Sequence, residues 1–585
     1  MKSNSLKTYK WELGILFFLC LISLFLFLGD TLFNTRGEPR EAIVAYSMLE
    51  HGNWILPINN GDEIAFKPPF LHWAIAAIST ITGGITEYTS RIPSALSTMV
   101  MLLAGFLFYA RRRNGEVAFL MGLITLTNFE VHRAAYACRV DMLLSALIVL
   151  SLYALYRWIE RDMKGIPWLA WALMAGAALT KGPVGVVLPC GVAGAYLLLR
   201  GHNFFKLLLR YGLLAIAALL PLFAWYVAAY YEPHGGERFL QLIYEENILR
   251  FTGGMTYASH INPWYYNVMT VITGLVPYTL IALMALPFCW KQIRRAFTGE
   301  SLKNFFTFKT FRKMDNLELY SLLSFLVIFI FYCIPASKRS VYLLPIYPFL
   351  AYFMAEFIVW IRKEHAGILR SFGHILAVAS VVLFFVFGLV RIGVVPEDIF
   401  SGKHAAENLA YLHALHTAPL GLLDIIAILM PLFASMYFWS SLRNTRNAEG
   451  ALMLPFRVIA IIFCIFLALD GFYQPTVLNT KSDKDIAEQI DQIAPQGTLY
   501  SYRDYFVEAN RLHPFTINFY LNDRVIPIDK AEKAPAEGYM IVSGNSIEKF
   551  KKEYAQYESK LLFKTSKRSC DDRVPVSFYH FKMKE

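Results

Sequence analysis

The chain has 585 residues, of which 56% are hydrophobic and only 17% carry a charge. An average soluble domain has about 25% charged residues, so this composition argues against a soluble protein. The net charge of +11 arises mainly in short loops between apolar runs, which is the loop bias of membrane proteins and argues against nucleic-acid binding.

Apolar runs long enough to cross a membrane recur along the chain and predict an α-helical polytopic membrane protein. The first run, Leu13–Gly29, also has the length of a signal peptide. No small-residue cleavage site follows it, so we interpret it as a retained span. The sequence predicts about 13 transmembrane helices, near residues 12–30, 91–110, 115–129, 139–158, 166–181, 183–200, 207–231, 264–290, 317–335, 341–361, 375–395, 418–440 and 456–473.

Lysine and arginine are concentrated in alternate loops, beginning with the N-terminus. The positive-inside rule assigns these loops to the cytoplasm. The intervening loops, including the long first loop at about 31–90, then lie on the outer face. An odd number of spans places the C-terminus on that face too. Seven scattered cysteines form no CxxC pair, so they indicate neither a disulfide framework nor a thiolate metal site.

The first outer loop contains two segments with helical apolar spacing, Pro39–Glu50 and Leu71–Ile81. Both are too short to cross a membrane and predict helices lying in its interface. Glu38 stands before Pro39, a residue that favours the first helical position. Glu38 is therefore either a helix-start carboxylate or a functional one, and Lys67 is either a snorkelling lysine or a functional cation.

Residues 474–585 are richer in charge and predict a small soluble α/β domain, whereas residues 1–473 form the membrane domain. We expect helices at Ser482–Ile493 and Ile547–Tyr557. We expect strands at Gly497–Tyr502, Arg524–Ile528, Gly538–Val542, Lys560–Phe563 and Val576–Phe581. The chain has no glycine-rich nucleotide motif, so an ATP-driven pump is disfavoured.

Several ionisable side chains lie near the predicted outer ends of the spans. Each has a simple structural explanation, such as a local ion pair between Arg139 and Asp141, an interfacial anchor for a lone cation, or a structural role for His260. Together they form a set that suits an anionic substrate group, as lipid phosphates offer at that depth. The set comprises Glu38, Lys67, Asp141, Lys181, Arg250, His260, Lys338 and Arg339.

The order of short motifs resembles a known family. The motifs are GEPREAIVAYSMLEHGNWILP (37–57), FKPPFLHW (66–73), RIPSAL (91–96), ACRVDM (137–142), LTKGPVGVVLP (179–189), ENILRFTGG (246–254), HINPWYY (260–266) and SKRSVYLLPIYP (337–348). They resemble those of bacterial lipid A aminoarabinose transferases, which are GT-C membrane glycosyltransferases of the protein O-mannosyltransferase-like superfamily.

The resemblance implies a multi-pass protein of the bacterial inner membrane, with its active site and C-terminal α/β domain on the periplasmic face. It also implies a polyprenyl-phosphate-linked donor whose sugar is aminoarabinose or a related pentose or hexose. The acceptor would be lipid A or another periplasmic glycoconjugate or protein, and transfer would invert the configuration at the anomeric carbon of the sugar. We expect a monomer whose other partner is membrane lipid, without nucleic acid.

By the same resemblance, Glu38, Lys67 and Asp141 are expected to be catalytic, with Glu38 facing the acceptor. Substrate phosphate would meet Arg40, Lys181, Arg250, Lys338, Arg339 and Tyr342. A divalent cation (Zn, Mg or Mn) would bind His260. The family pattern has carboxylates where this chain has Gly37 and Phe66, so Asp62 or Glu63 would have to complete such a metal site.

Two other functions compete with this interpretation. A transporter or flippase for a lipid-linked sugar predicts ionisable residues near mid-bilayer and two pseudo-symmetric halves, and the sequence has neither feature. A transferase similar to O-antigen ligases would carry a large outer loop late in the chain, whereas here the late soluble part is C-terminal.

Overall fold

The structure is a computed structural model that describes residues 9–61, 63–233, 235–245, 249, 261–296, 308–442, 448–502, 514–528 and 530–585. Helices dominate up to Leu478, and a mixed sheet follows. In chain order these helices are α1 (Lys10–Phe25), α2 (Pro39–His51), α3 (Phe70–Thr82), α4 (Glu87–Ala110), α5 (Gly115–Leu126), α6 (Phe129–Ala135), α7 (Val140–Ile159), α8 (Trp168–Lys181), α9 (Val184–Leu199), α10 (Phe204–Tyr230), α11 (Gly236–Tyr244), α12 (Tyr266–Gly274), α13 (Tyr278–Ala296), α14 (Lys309–Lys313), α15 (Asn316–Cys333), α16 (Tyr347–Glu364), α17 (Ala366–Arg391), α18 (Ala405–Thr417), α19 (Leu422–Ser441), α20 (Ala448–Ala468) and α21 (Gln474–Leu478).

Helices occupy all thirteen positions at which the sequence predicts a span. Among the described residues, eight helical segments are long and apolar enough to cross a membrane, and α12 with α13 forms a ninth candidate bent by 100°. The remaining four positions hold shorter helices, α1, α5, α8 and α9, of 12 to 16 residues. The predicted class, a helical polytopic membrane fold, is confirmed.

The first loop contains the two predicted short helices, α2 and α3. Glu38 directly precedes α2, Pro39 occupies its first turn, and Gly52 ends it with a left-handed φ of 70°. A two-residue hairpin, β1 (Ile58–Asn59) and β2 (Glu63–Ile64), lies between the helices. Strands this short show no alternating pattern, so the sequence does not predict them.

The C-terminal sheet has five strands in the order β4-β3-β5-β7-β6. β4, β3 and β5 pair in parallel, whereas β7 pairs antiparallel with both of its neighbours, β5 and β6. All five strands lie at their predicted positions: β3 (Leu499–Tyr502), β4 (Val525–Ile528), β5 (Glu537–Ser543), β6 (Tyr557–Lys564) and β7 (Val576–Met583).

Among the residues described after Leu478, three α-helices accompany the sheet. α22 (Lys484–Ile493) matches its prediction, and α24 (Ile547–Glu553) is shorter than predicted because β6 begins at Tyr557. The third, α23 (Phe515–Tyr520), is not predicted by the sequence. Six residues are fewer than two turns, which is too short for helical periodicity to be read.

The first loop is bonded directly to the C-terminal domain. The Asn60 backbone N–H donates to Asp523 Oδ1 at 2.8 Å, and Asn518 Nδ2 donates to Asn60 Oδ1 at 2.8 Å. The Phe33 and Phe519 rings meet edge to face with centroids 4.9 Å apart. The two parts therefore lie on the same side of the membrane domain. Twelve predicted spans separate them, and this contact requires an even number.

Candidate functional site

A cavity of about 240 Å³ lies beside the start of α7 and the end of α8. We call it the central cavity. Four cations and two carboxylates contribute to its wall, so its charge suits a negatively charged group. The cations are Lys67, Arg139, Lys181 and Arg339; the carboxylates are Glu41 and Asp141; and Phe66, Pro68, Val140, Thr180, Gly182, Tyr226, Ile243 and Tyr342 complete the lining.

Asp141 and Lys181 form an ion pair across this cavity. Asp141 lies in the first turn of α7, and Lys181 is the last residue of α8. The lysine Nζ contacts Asp141 Oδ1 and lies 4.3 Å from the centre of the Tyr342 ring. The partner of Asp141 is thus Lys181, forty positions away, rather than its neighbour Arg139. The structure therefore brings together three predicted site residues, Asp141, Lys181 and Tyr342.

Lys67 forms a different ion pair, with a residue that the sequence analysis did not single out. Its ammonium contacts Glu41 Oε1, and the other oxygen, Glu41 Oε2, lies 2.9 Å from His72 Nε2. Burial favours the neutral form of Glu41, but the charge of Lys67 and the bond from His72 outweigh it and hold the pKa of Glu41 well below its usual range. Glu41 is therefore a fixed negative charge beside Lys67.

Glu38 does not line the central cavity and instead forms a buried ion pair with Arg91. The Arg91 Nε and Nη2 atoms lie 2.9 and 3.1 Å from its two oxygens, and the Cys138 backbone N–H donates to Oε1 at 2.9 Å. Burial raises the pKa of Glu38, but Arg91 and the Cys138 N–H more than offset this and leave it below the ordinary value. The expected catalytic role of Glu38 stays a prediction.

A second cavity of about 170 Å³, the side cavity, adjoins the central one. The two share a wall formed by Arg139, Asp141 and Arg339. Lys338 also lines the side cavity, is 6% exposed, and donates to the Asn262 carbonyl at 3.4 Å. The side cavity is therefore cationic as well. Its further lining residues are Arg133, Ala134, Ala137, Met142, Asn262, Tyr266, Ser340 and Val341.

Arg40 lies behind the central cavity rather than in its wall. Its Nη2 donates to Glu63 Oε1 at 3.0 Å, and its guanidinium lies 5.6 Å from the centre of the Phe515 ring in the C-terminal domain. Arg40 therefore links α2 to the second strand of the hairpin and to α23. Two other predicted site residues, Arg250 and His260, lie outside the described residues.

The residues that the structure describes do not form a metal site. Among them, no three His, Cys, Asp or Glu side chains are arranged to hold a metal ion, and Glu63 is engaged by Arg40. Asp62 and His260, the other ligands considered, lie outside the described residues. The expected divalent cation stays a prediction, and no step below uses it.

Four residues near the cavities were not selected from the sequence as site residues: Glu41, His72, Arg91 and Arg139. The sequence could have pointed to Glu41, since it follows Glu38 by three positions and so lies near it at the start of the same helix. It could also have pointed to Arg139, through the absence of a side chain at Gly37. A Cβ atom at position 37 would lie 1.7 Å from Arg139 Nη2, so the missing side chain leaves room for this guanidinium at the cavity wall.

Comparisons with known proteins identify what this chain is similar to. Residues 66–226 match the family described as dolichyl-phosphate-mannose-protein mannosyltransferase. Undecaprenyl phosphate-alpha-4-amino-4-deoxy-L-arabinose arabinosyl transferase 2 of Proteus mirabilis is 30% identical over 391 residues, which are 64% of this chain and 66% of that protein. An uncharacterized protein of Aquifex aeolicus is 30% identical over 58% of this chain and 64% of its own length. The chain thus spans slightly less than two thirds of these relatives.

The fold comparison covers nearly the whole chain. ArnT from Cupriavidus metallidurans, in a crystal structure bound to undecaprenyl phosphate, superposes with a TM-score of 0.67 over 99% of this chain and 98% of that one, at 17% identity. Its apo structure gives a TM-score of 0.66. The resemblance inferred from the motifs is confirmed: the chain is similar to the arabinosyl transferases over its matched residues and has the GT-C membrane fold of ArnT.

Proposed function

We propose that the chain is a glycosyltransferase that moves a sugar from a polyprenyl-phosphate donor to an acceptor on the face of the membrane that carries the C-terminal domain. The observation that carries the proposal is the central cavity, where Lys67 of the first loop meets Arg139, Lys181 and Arg339. The ArnT-fold protein bound to undecaprenyl phosphate and the arabinosyl transferases named among the relatives support it.

The donor phosphate would occupy the central cavity. When the bond from sugar to phosphate breaks, negative charge develops on the departing polyprenyl phosphate. Fixed cations at that point stabilise the transition state more than the ground state. Lys67 and Lys181 supply ammonium groups and Arg339 a guanidinium, which can form two parallel bonds to a phosphate. Tyr342, which lies under Lys181, limits where that ammonium can move.

We assign the acceptor to the side cavity. The four cations there, Arg133, Arg139, Lys338 and Arg339, suit an anionic acceptor such as the phosphate-bearing lipid A. The two cavities meet at the residues that they share. The donor phosphate and the acceptor would then lie on opposite sides of the sugar, and the acceptor would attack opposite the departing phosphate. That geometry corresponds to transfer with inversion.

Asp141 is the carboxylate in this shared wall, and we assign it to the acceptor. Its ion pair with Lys181 fixes its position in the wall, so that it can orient the attacking group of the acceptor. Glu38, with both oxygens engaged and a lowered pKa, is a weak base. We therefore assign Glu38 a positioning role: it ties the start of α2 to the segment that carries Arg139 and Asp141.

We place the active face in the periplasm of a bacterial inner membrane, as the distribution of lysine and arginine predicts. The direct test combines two measurements. The purified full-length protein in lipid nanodiscs is mixed with undecaprenyl-phosphate-linked aminoarabinose and lipid A, and released undecaprenyl phosphate is quantified. Mass spectrometry then compares lipid A and other glycoconjugates from cells with and without the gene.

We expect release of undecaprenyl phosphate together with a gene-dependent gain of sugar mass on lipid A. A sugar lost from another glycoconjugate, with lipid A unchanged, would keep the enzyme class and replace the acceptor. If no glycoconjugate changes and no undecaprenyl phosphate is released, the proposal is wrong.

A further inference from the structure

Lys67 receives its counter-charge from another element of the fold. The residue before it is Phe66, and the nearest preceding carboxylate that the structure describes in this segment, Glu63, pairs with Arg40. The carboxylate that contacts the Lys67 ammonium comes from α2, where Glu41 lies 26 positions earlier in the chain. Glu41 is 5% exposed, whereas the Lys67 side chain keeps 33% of its surface accessible.

His72 contacts the Glu41 oxygen that does not face Lys67. It is 1% exposed, and its Nε2 lies 2.9 Å from Glu41 Oε2. Its other nitrogen, Nδ1, is buried and has no hydrogen-bond partner within the described part of the chain. Nε2 is thus the ring nitrogen that is hydrogen-bonded, and it can donate to the Glu41 carboxylate.

The surroundings of Lys67 otherwise oppose its charge. Burial lowers the pKa of Lys67; Glu41 raises it; Arg40 and Arg139 lower it further, and the net result is a pKa below the ordinary value. The other charged groups that face this region are Glu63, Asp141, Lys181 and Arg339. Asp141 already pairs with Lys181, and Glu63 with Arg40. Glu41 is thus the carboxylate that contacts Lys67.

We propose that Glu41 and His72 are positioning residues for Lys67: His72 fixes the Glu41 carboxylate, and Glu41 keeps the lysine protonated and aimed into the central cavity. An ammonium has three N–H donors, so Lys67 can keep its bond to Glu41 while another N–H meets the donor phosphate. The inference rests on the proposed function, because it assigns Lys67 to that phosphate.

The test measures the ionisation of Lys67 directly. The full-length protein in nanodiscs is labelled briefly with acetic anhydride at a series of pH values, and peptide mass spectrometry gives the fraction of Lys67 acetylated. Only the neutral amine reacts, so the profile reports the apparent pKa. The variants are Glu41→Gln, His72→Phe and His72→Gln. Glu232→Gln is the control for charge, since Glu232 accepts a bond from Asn53 and does not contact Lys67.

In Glu41→Gln we expect the apparent pKa of Lys67 to fall by about one unit, since a nearby opposite charge shifts a pKa by about 1–3 units. Labelling at a fixed pH below that pKa then rises roughly tenfold. His72→Phe should shift the pKa in the same direction by less, and His72→Gln, which retains an N–H donor, should restore part of it. The control should match the wild type. If the Lys67 pKa is unchanged in both Glu41→Gln and His72→Phe, the inference is wrong.

The pH profile of sugar transfer gives the second measurement. Loss of Glu41 should move the alkaline limb of kcat/KM to lower pH, because Lys67 then loses its proton sooner. A merely structural role for Glu41 would lower the activity without moving this limb, and that result would also contradict the inference. If Glu41→Gln does not fold, the two His72 variants decide through labelling. If the wild type transfers no sugar, the proposed function fails while the labelling still tests the link between Glu41 and Lys67.

Discussion

Glu38 and Arg91 form a buried two-point ion pair that joins the first loop to α4. Arg91 is 2% exposed and also donates to the carbonyl oxygens of Leu28, at 3.0 Å, and Thr31, at 2.5 Å. The Cys138 N–H reaches the same carboxylate from the segment before α7. One residue pair thus connects the segment after α1, the start of α2, α4 and the entry to α7, which bears Asp141.

This pair allows the structural and chemical roles of Glu38 to be separated. Glu38→Gln leaves the Arg91 charge buried without its partner, and breaking a buried ion pair costs about 3–5 kcal/mol. We expect a lower melting temperature and loss of transfer. The double variant Glu38→Leu/Arg91→Met removes both charges and should recover much of the melting temperature. Differential scanning fluorimetry with a transfer assay tests this. If Glu38 is only a positioning residue, activity returns in part with stability; a stable but inactive double variant would make Glu38 a catalytic carboxylate.

We expect different effects from replacing Lys181 and from replacing Asp141, the two members of the ion pair in the central cavity. Lys181→Ala removes a cation from the central cavity, and we expect roughly a 100-fold loss of kcat/KM together with weaker binding of undecaprenyl phosphate. Asp141→Asn leaves the lysine in place, so it should lower kcat while undecaprenyl phosphate still binds. Lys164→Ala is the charge control, because the Lys164 side chain is 82% exposed. Equal loss of undecaprenyl phosphate binding in both variants would contradict the assignment of Asp141 to the acceptor.

Gly37 is predicted to be intolerant of any side chain because of Arg139. A Cβ atom there would meet the guanidinium at 1.7 Å, and the flexible arginine would have to leave the shared cavity wall. We expect Gly37→Ala to fold but to lose roughly tenfold or more in kcat/KM, as for one lost charge-assisted hydrogen bond of about 1.5–3 kcal/mol. Gly84→Ala in the same loop is the matched control, since its Cβ would meet no atom within 4 Å. Full activity in Gly37→Ala would show that Arg139 does not act at the wall.

The C-terminal domain should lose stability as the pH rises. Asp571 accepts hydrogen bonds from the Thr516 N–H and hydroxyl, each at 2.9 Å. Burial, with the nearby Asp483, raises its pKa to about 8. A pKa raised in the folded state means that the protonated form is the stabilised one. Its contribution is complete below about pH 4, declines as the unfolded chain ionises, and is lost by about pH 8.

Thermal melts of the full-length protein from pH 5 to pH 8.5 would check this dependence. In the wild type the transition of the C-terminal domain should move to lower temperature as the pH rises. Asp571→Asn, which does not ionise, should flatten the profile and be relatively more stable at pH 8. Parallel profiles for the two proteins would contradict the prediction.

The sequence predicted those features of the fold that depend on local pattern. The short helices α2 and α3 are evident from their apolar spacing, and the strands of the C-terminal domain from short apolar runs between turns. The site was predicted only as a set of residues, of which Lys67, Asp141, Lys181, Arg339 and Tyr342 do line one cavity. Their pairing was not predictable: Lys181 lies 40 positions from Asp141, and Arg91 lies 53 from Glu38. Such partners are set by how helices pack, which sequence spacing alone does not encode.

The hydrogen bonds of Asn60 with Asp523 and Asn518 constrain the order in which the protein can mature. Asn60 donates to a residue 463 positions further along the chain. The loop that bears Glu41 and Lys67 is synthesised early, but its hairpin turn can complete its hydrogen bonds only after the C-terminal domain has been made and lies on the same side of the membrane domain. A chain that ends before the C-terminal domain would therefore lack the hydrogen bonds that hold this turn, and the loop bearing Glu41 and Lys67 would be left without that support.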